Sequence, residues 1–123
     1  MRTRFITFRG GNFKQSAGNV LEVWQRQKDR GESPTITDPD MERYFIDTRK
    51  AAEIVCNLPD WAKNGDTVIP KMRLENILDL LQEQFPGSSY RLIGCRVGEK
   101  KAERLTTDDE KIIWENNEVQ VVL

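Results

Sequence analysis

Asp79 and Glu83 stand four residues apart, the spacing that sets two carboxylates on one helix face, where a pair could divide general acid and general base work. Their surroundings argue against it. Leu74, Ile77, Leu78, Leu81 and Phe85 form the apolar stripe of the same segment, and Asp79 and Glu83 fall away from it, on a solvated face without the burial that shifts a carboxyl pKa. Asp38, Asp40 and Glu42 alternate like calcium-loop ligands, but the required turn glycine and the closing bidentate glutamate are missing. Helix capping accounts for them better, with Asp38 as cap and Pro39 at the first helical position. Gly10-Gly11 is followed by neither G-x-G-x-x-G nor a phosphate-loop lysine.

Histidine is absent from the 123 residues. Histidine-activated serine or cysteine nucleophiles and histidine zinc sites are therefore impossible within the chain. Two cysteines cannot build a four-cysteine zinc site alone, and Cys56 and Cys95, each among apolar neighbours, are expected to be buried, reduced thiols. These residues lead us to expect no catalytic group, no metal, no cofactor and no enzymatic activity.

Charge is unevenly spread although the net value is only −1. Arg2, Arg4, Arg9, Lys14, Arg26, Lys28 and Arg30 face only Glu22 and Asp29 within the first 30 residues, so the acidic excess lies in the rest. A basic front and an acidic rear suggest complementary surfaces, within one molecule or between copies. With 37% hydrophobic and 32% charged residues, the composition is that of an ordinary globular protein. No apolar run approaches the ~20 residues of a membrane-spanning helix, and no secretory leader is recognisable, so a cytoplasmic protein is expected. The length suits a single domain over residues 1–123, able to bury roughly 65% of its unfolded surface.

The elements that must position these side chains follow from periodicity. Phe5, Ile6 and Phe8, then Gly10-Gly11 and Phe13, predict an N-terminal β-hairpin. Val20, Leu21 and Trp24 predict a helix ending near Gly31. Met41, Tyr44, Phe45, Thr48, Ala52, Val55 and Leu58 keep a helical rhythm from Pro39 until Pro59 ends it. Trp61 and Val68-Ile69 anchor a loop, and the Leu74–Phe85 stripe predicts a third helix closed by Pro86-Gly87. Tyr90, Leu92 and Val97 read as a strand, "GEKK" as a turn, and "IIW" and "VQVVL" as a hairpin around "ENNE". Val119, Val121 and Leu123 share one apolar face, so the last strand is expected inside a mixed sheet, beside the N-terminal strand.

This order predicts an α+β protein, a mixed β-sheet packed against helices. "LENILDLLQEQFPGSSYRLIGC" and "ERLTTDDEKIIWENNEVQVVL" resemble the helix and late strands of ubiquitin-like, β-grasp domains, and of PB1-like domains in particular. The resemblance covers residues 72–123 and implies a β-grasp-like second half preceded by an inserted helical segment. It departs from that pattern where "GEKKAER" is basic, and the chain lacks a conjugating Gly-Gly. The resemblance implies a protein-binding function, in which Asp108, Asp109 and Glu110 dock on Arg2, Arg4, Arg9 and Lys14 of another copy, head to tail. The reading at this point is a non-enzymatic interaction domain of adaptor, inhibitor, immunity or viral accessory type, with a protein partner and possible homo-oligomers. The alternative is a nucleic-acid binder using Arg26, Lys28 and Arg30 beside Trp24, with Phe5, Phe8 and Phe13 to stack bases, although a sequence pI near 5.6 opposes it.

Overall fold

The computed structural model describes residues 2–14, 19–99 and 102–123. The chain runs through β1 (Thr7–Phe8), β2 (Asn12–Phe13), α1 (Val20–Asp29), β3 (Thr35–Ile36) and β4 (Glu42–Ile46). It continues through α2 (Thr48–Trp61), β5 (Thr67–Pro70), β6 (Arg73–Asn76), α3 (Ile77–Gln84), β7 (Arg91–Leu92), β8 (Ile112–Glu115) and β9 (Val119–Val122). The α+β class, with mixed sheets against helices, is as expected.

Three sheets result, in the orders β1-β5-β9-β8, β2-β4-β6 and β3-β7. The first is mixed: β1 runs parallel to β5, and β9 is antiparallel to both its neighbours. One face of that sheet packs on α2, joining Ile54 and Leu58 to Val68, Val119 and Val121. A second core joins Trp24 of α1, Phe45 of β4 and Leu80 and Leu81 of α3. Burying each large side chain of these clusters contributes roughly 1.5–3 kcal/mol.

The expected N-terminal hairpin does not form. Gly10-Gly11 carries the chain from one sheet into another, where β1 pairs parallel with β5 and β2 parallel with β4. Without that hairpin the β-grasp arrangement is lost as well. The predicted helix from Pro39 is two elements, because "ERYFI" is aromatic and β-branched and pairs with β6. Helix α2 starts instead after Asp47, whose carboxylate accepts from the Arg49 and Lys50 N–H groups, and Pro59 lies inside it. Leu74 belongs to β6 rather than to the third helix, and is exposed. Val68 and Ile69, expected in a loop, are a fully buried strand.

The terminal hairpin β8–β9 is as predicted, but β9 lies between β5 and β8, with β5 separating it from β1. The strand expected around Tyr90–Val97 shrinks to Arg91–Leu92, and the "GEKK" turn runs into residues 100 and 101, outside the described residues. Cys56 and Cys95 are free thiols but exposed, Cys56 on α2 and Cys95 in the segment that follows β7.

Candidate functional site

A cleft opens between α1, β3 and the β2–β4 pair, with a volume of about 280 Å³. Val20, Ile36, Met41, Phe45 and Ile77 supply its apolar surface; Asn12, Asn19, Thr35, Thr37, Arg43 and Glu99 supply its polar groups. Each wall has a local cause. Asn19 caps α1, accepting from the Glu22 N–H at 3.0 Å, and its Nδ2 donates to the Phe13 carbonyl at 2.9 Å and to the Lys14 carbonyl. The Asn12 Nδ2 donates to the Tyr44 carbonyl at 3.1 Å, tying β2 to β4.

Strand β3 is held to α1 by three bonds. The Trp24 Nε1–H donates to the Thr35 carbonyl at 2.8 Å, and Trp24 is wholly buried. Gln27 clasps Thr35 twice, donating from Nε2 to its hydroxyl at 2.9 Å and accepting from its N–H at 3.0 Å. The Thr35 and Thr37 edge is thereby fixed against the helix. Arg43 projects from β4, its Nη1 donating to the Glu42 carbonyl at 2.7 Å.

A neighbouring hollow of about 540 Å³ shares Val20, Thr35, Thr37 and Glu99 with this cleft, so the two form one continuous groove. Its far side is the turn carrying Ile93, Gly94, Cys95 and Arg96. Glu99 closes that turn, its Oε2 accepting from the Arg96 N–H at 2.9 Å. The groove thus combines an apolar surface, hydrogen-bonding amides and hydroxyls, two guanidinium groups and one carboxylate. Guanidinium forks suit phosphate and carboxylate oxygens, and apolar walls suit a flat ring.

The residues singled out from sequence are placed elsewhere. Arg9 and Glu110 form a bidentate pair within one chain, Nη1 to Oε1 at 2.6 Å and Nη2 to Oε2 at 2.9 Å, and Arg9 also donates to the Leu105 carbonyl. The Arg9 hydrogen bonds, with one from the Thr107 N–H, lower the Glu110 carboxyl from its ordinary 4.5 to about 2, and the same pairing raises Arg9. Arg4 donates to the Ala62 and Pro59 carbonyls at the end of α2. Lys14 lies 3.6 Å from the buried Glu75, Asp108 pairs with Arg104, and Arg2 and Asp109 are exposed. Arg26 bonds Glu22, Lys28 reaches the Ser88 hydroxyl and lies over the Phe85 ring, and Arg30 is exposed.

Sequence reasoning missed Asn12, Asn19, Thr35, Thr37, Arg43, Arg96 and Glu99. The one signal available was the adjacent charges Glu42 and Arg43, set between Met41 and the apolar Phe45-Ile46. Among the described residues no group of three or more Cys, Asp or Glu could hold a metal ion, and no helix is long and apolar enough to cross a membrane.

Comparison with known proteins changes the functional reading. The family model described as "polysaccharide biosynthesis protein" matches residues 1–122. The chain is 32% identical over 117 residues to a UDP-N-acetylglucosamine 4,6-dehydratase (inverting) of Campylobacter jejuni, covering 93% of this chain and 35% of the relative. It is 30% identical over 106 residues to a UDP-glucose 4-epimerase of Rickettsia typhi, covering 83% of this chain and 31% of the relative. The X-ray structure of Pen from Bacillus thuringiensis superposes with a TM-score of 0.84 at 26% identity, over 96% of this chain and 39% of that one. The chain spans about a third of the length of these relatives.

These findings overturn the ubiquitin-like and PB1-like resemblance and the non-enzymatic adaptor or inhibitor reading drawn from it. They equally overturn the expectation of no enzymatic role, since the relatives are named as a dehydratase and an epimerase. That expectation rested on the missing histidine, which excludes some chemistries but not membership of an enzyme family. The nucleic-acid alternative finds no support: Trp24 is buried in the core, where it cannot stack a base.

Proposed function

The chain belongs to the polysaccharide biosynthesis protein family, and from that premise we propose that it forms the nucleotide-sugar-binding part of a polysaccharide-biosynthesis enzyme. The observation that carries the proposal is the groove itself. It places Arg43 and Arg96 along a cleft whose other walls are apolar side chains, amides, hydroxyls and the Glu99 carboxylate. The two relatives named above carry out different reactions, yet both names begin with a UDP-sugar. A UDP-sugar needs three kinds of contact: a surface for a flat base, cations for a diphosphate, and hydrogen-bonding groups for sugar hydroxyls.

In this reading Arg43 and Arg96 hold the diphosphate, the base lies on the apolar surface near Val20 and Ile36, and Asn12 and Glu99 meet hydroxyl groups. The sequence carries no G-x-G-x-x-G segment, so the role proposed is recognition and orientation of the nucleotide sugar.

Isothermal titration with UDP, with uridine as the control lacking phosphate, tests this. UDP should bind, and uridine should bind at least tenfold more weakly. Arg43→Ala should lower UDP affinity by about 1.5–3 kcal/mol, the range for hydrogen bonds to charged groups, with the circular dichroism of the folded chain retained. Equal affinity for uridine and UDP, or an unchanged Arg43→Ala variant, would remove the diphosphate site.

A further inference from the structure

Strand β8 is the outer strand of its sheet, with β9 on one side and no further strand beyond it among the described residues. Edge strands are usually blunted by charge or proline. Here the exposed run is apolar: Ile112, Ile113 and Trp114 are 51%, 54% and 48% exposed. Trp114 meets Trp61, from the end of α2, with ring centroids 5.4 Å apart. The two rings border a hollow of about 390 Å³ over Val121, rimmed by Lys63 and Asp66. Scattered exposed apolar residues are ordinary, but a contiguous patch centred on tryptophan marks an interaction surface.

The charges flanking the patch identify its occupant. The strand reads Lys111-Ile112-Ile113-Trp114-Glu115, opposite charges around an apolar centre. An antiparallel copy related by a two-fold axis at Ile113 sets Lys111 of each chain against Glu115 of the other, and Ile112 against Trp114. A parallel copy would set lysine against lysine and glutamate against glutamate. Among the described residues Lys111 has no ion pair in its own chain, whereas Glu115 is already oriented by Lys71 at 3.1 Å.

We propose that this patch is the interface of a two-fold dimer of the chain, independent of the nucleotide-sugar groove. Such an isologous contact uses the patch once and closes at two copies.

Sedimentation equilibrium across a concentration series should show a mass twice the 14.3 kDa of one chain, with no larger species. Ile113→Lys places like charges together at the axis and should give a monomer whose circular dichroism and UDP affinity match those of the wild type. Lys111→Glu should weaken the dimer at least tenfold, and adding Glu115→Lys should restore it, because the reversed charges again face their opposites. A monomer at every concentration, open-ended growth, a dimer indifferent to Ile113→Lys, or no rescue by the double reversal would each overturn the proposal. UDP titration of the same variants keeps this outcome separate from that of the groove.

Discussion

Gly11 is fixed by lack of room. A Cβ there would stand 2.7 Å from the Tyr44 carbonyl oxygen and 3.1 Å from the Met72 sulfur, while the Gly11 N–H already points at that sulfur. Backbone cannot yield as a flexible side chain can, so Gly11→Ala must push β2 away from β4. Urea denaturation should show a loss of about 1–3 kcal/mol, the usual range for overpacking. UDP affinity should fall as well, because Asn12 is the next residue and Arg43 lies on the displaced partner strand. Glu110 supplies a second residue-scale test. Its carboxyl titrates at about 2 when folded, below its ordinary 4.5. A depressed carboxyl stabilises the fold fully above the unfolded value and loses that contribution as pH falls through the folded one. Wild type should therefore melt higher than Glu110→Gln by a constant margin above about pH 5, and the margin should close between pH 4.5 and pH 2. A margin that stays constant to pH 2 would mean that the Arg9 pair contributes nothing through its charge.

At the scale of elements, the sequence was legible where one pattern dominates and misleading where two overlap. Helix α1 and the β8–β9 hairpin were read correctly because Trp24 faces the core and the "ENNE" turn separates two apolar runs. Residues 39–47 failed because Met41, Tyr44 and Phe45 satisfy a helical spacing, while the same stretch also alternates as a strand. The contest is settled by pairing with β6, a contact across about 30 residues that no local window contains. The groove was illegible for a related reason: its residues run from Asn12 to Glu99, and only the parallel pairing of β2 with β4 and of β3 with β7 gathers them. Trp24 is the element that holds the groove's wall. Trp24→Phe keeps most of the ring but leaves the Thr35 carbonyl unpaired in the wall, and should cost about 1–3 kcal/mol. Trp24→Ala should cost about 3–5 kcal/mol through the added cavity. Equilibrium unfolding would rank the two, and equal losses would show that the hydrogen bond rather than packing secures β3.

Across the whole molecule, the two cores divide the labour. The α2 core carries the four-stranded sheet and, at its rim, the tryptophan patch; the α1–α3 core carries the groove. The charge asymmetry seen in the sequence is partly consumed inside the chain, through Arg9 with Glu110 and Lys14 with Glu75, instead of being left for a partner. Arg43 and Arg96 come from outside the basic first 30 residues, so overall charge was no guide to the groove. This division predicts that ligand binding and self-association are separable. A ligand that binds only the folded chain stabilises it by about 2.7 kcal/mol at a hundredfold excess over its Kd. UDP at that excess should raise the unfolding free energy by that amount in wild type and in Ile113→Lys alike, since the second change lies on the other core. Arg43→Ala at the same UDP concentration should lose most of the gain while retaining the dimer mass. Loss of the UDP effect in Ile113→Lys would instead mean that the groove is complete only when two chains meet, and would join the two surfaces into one site.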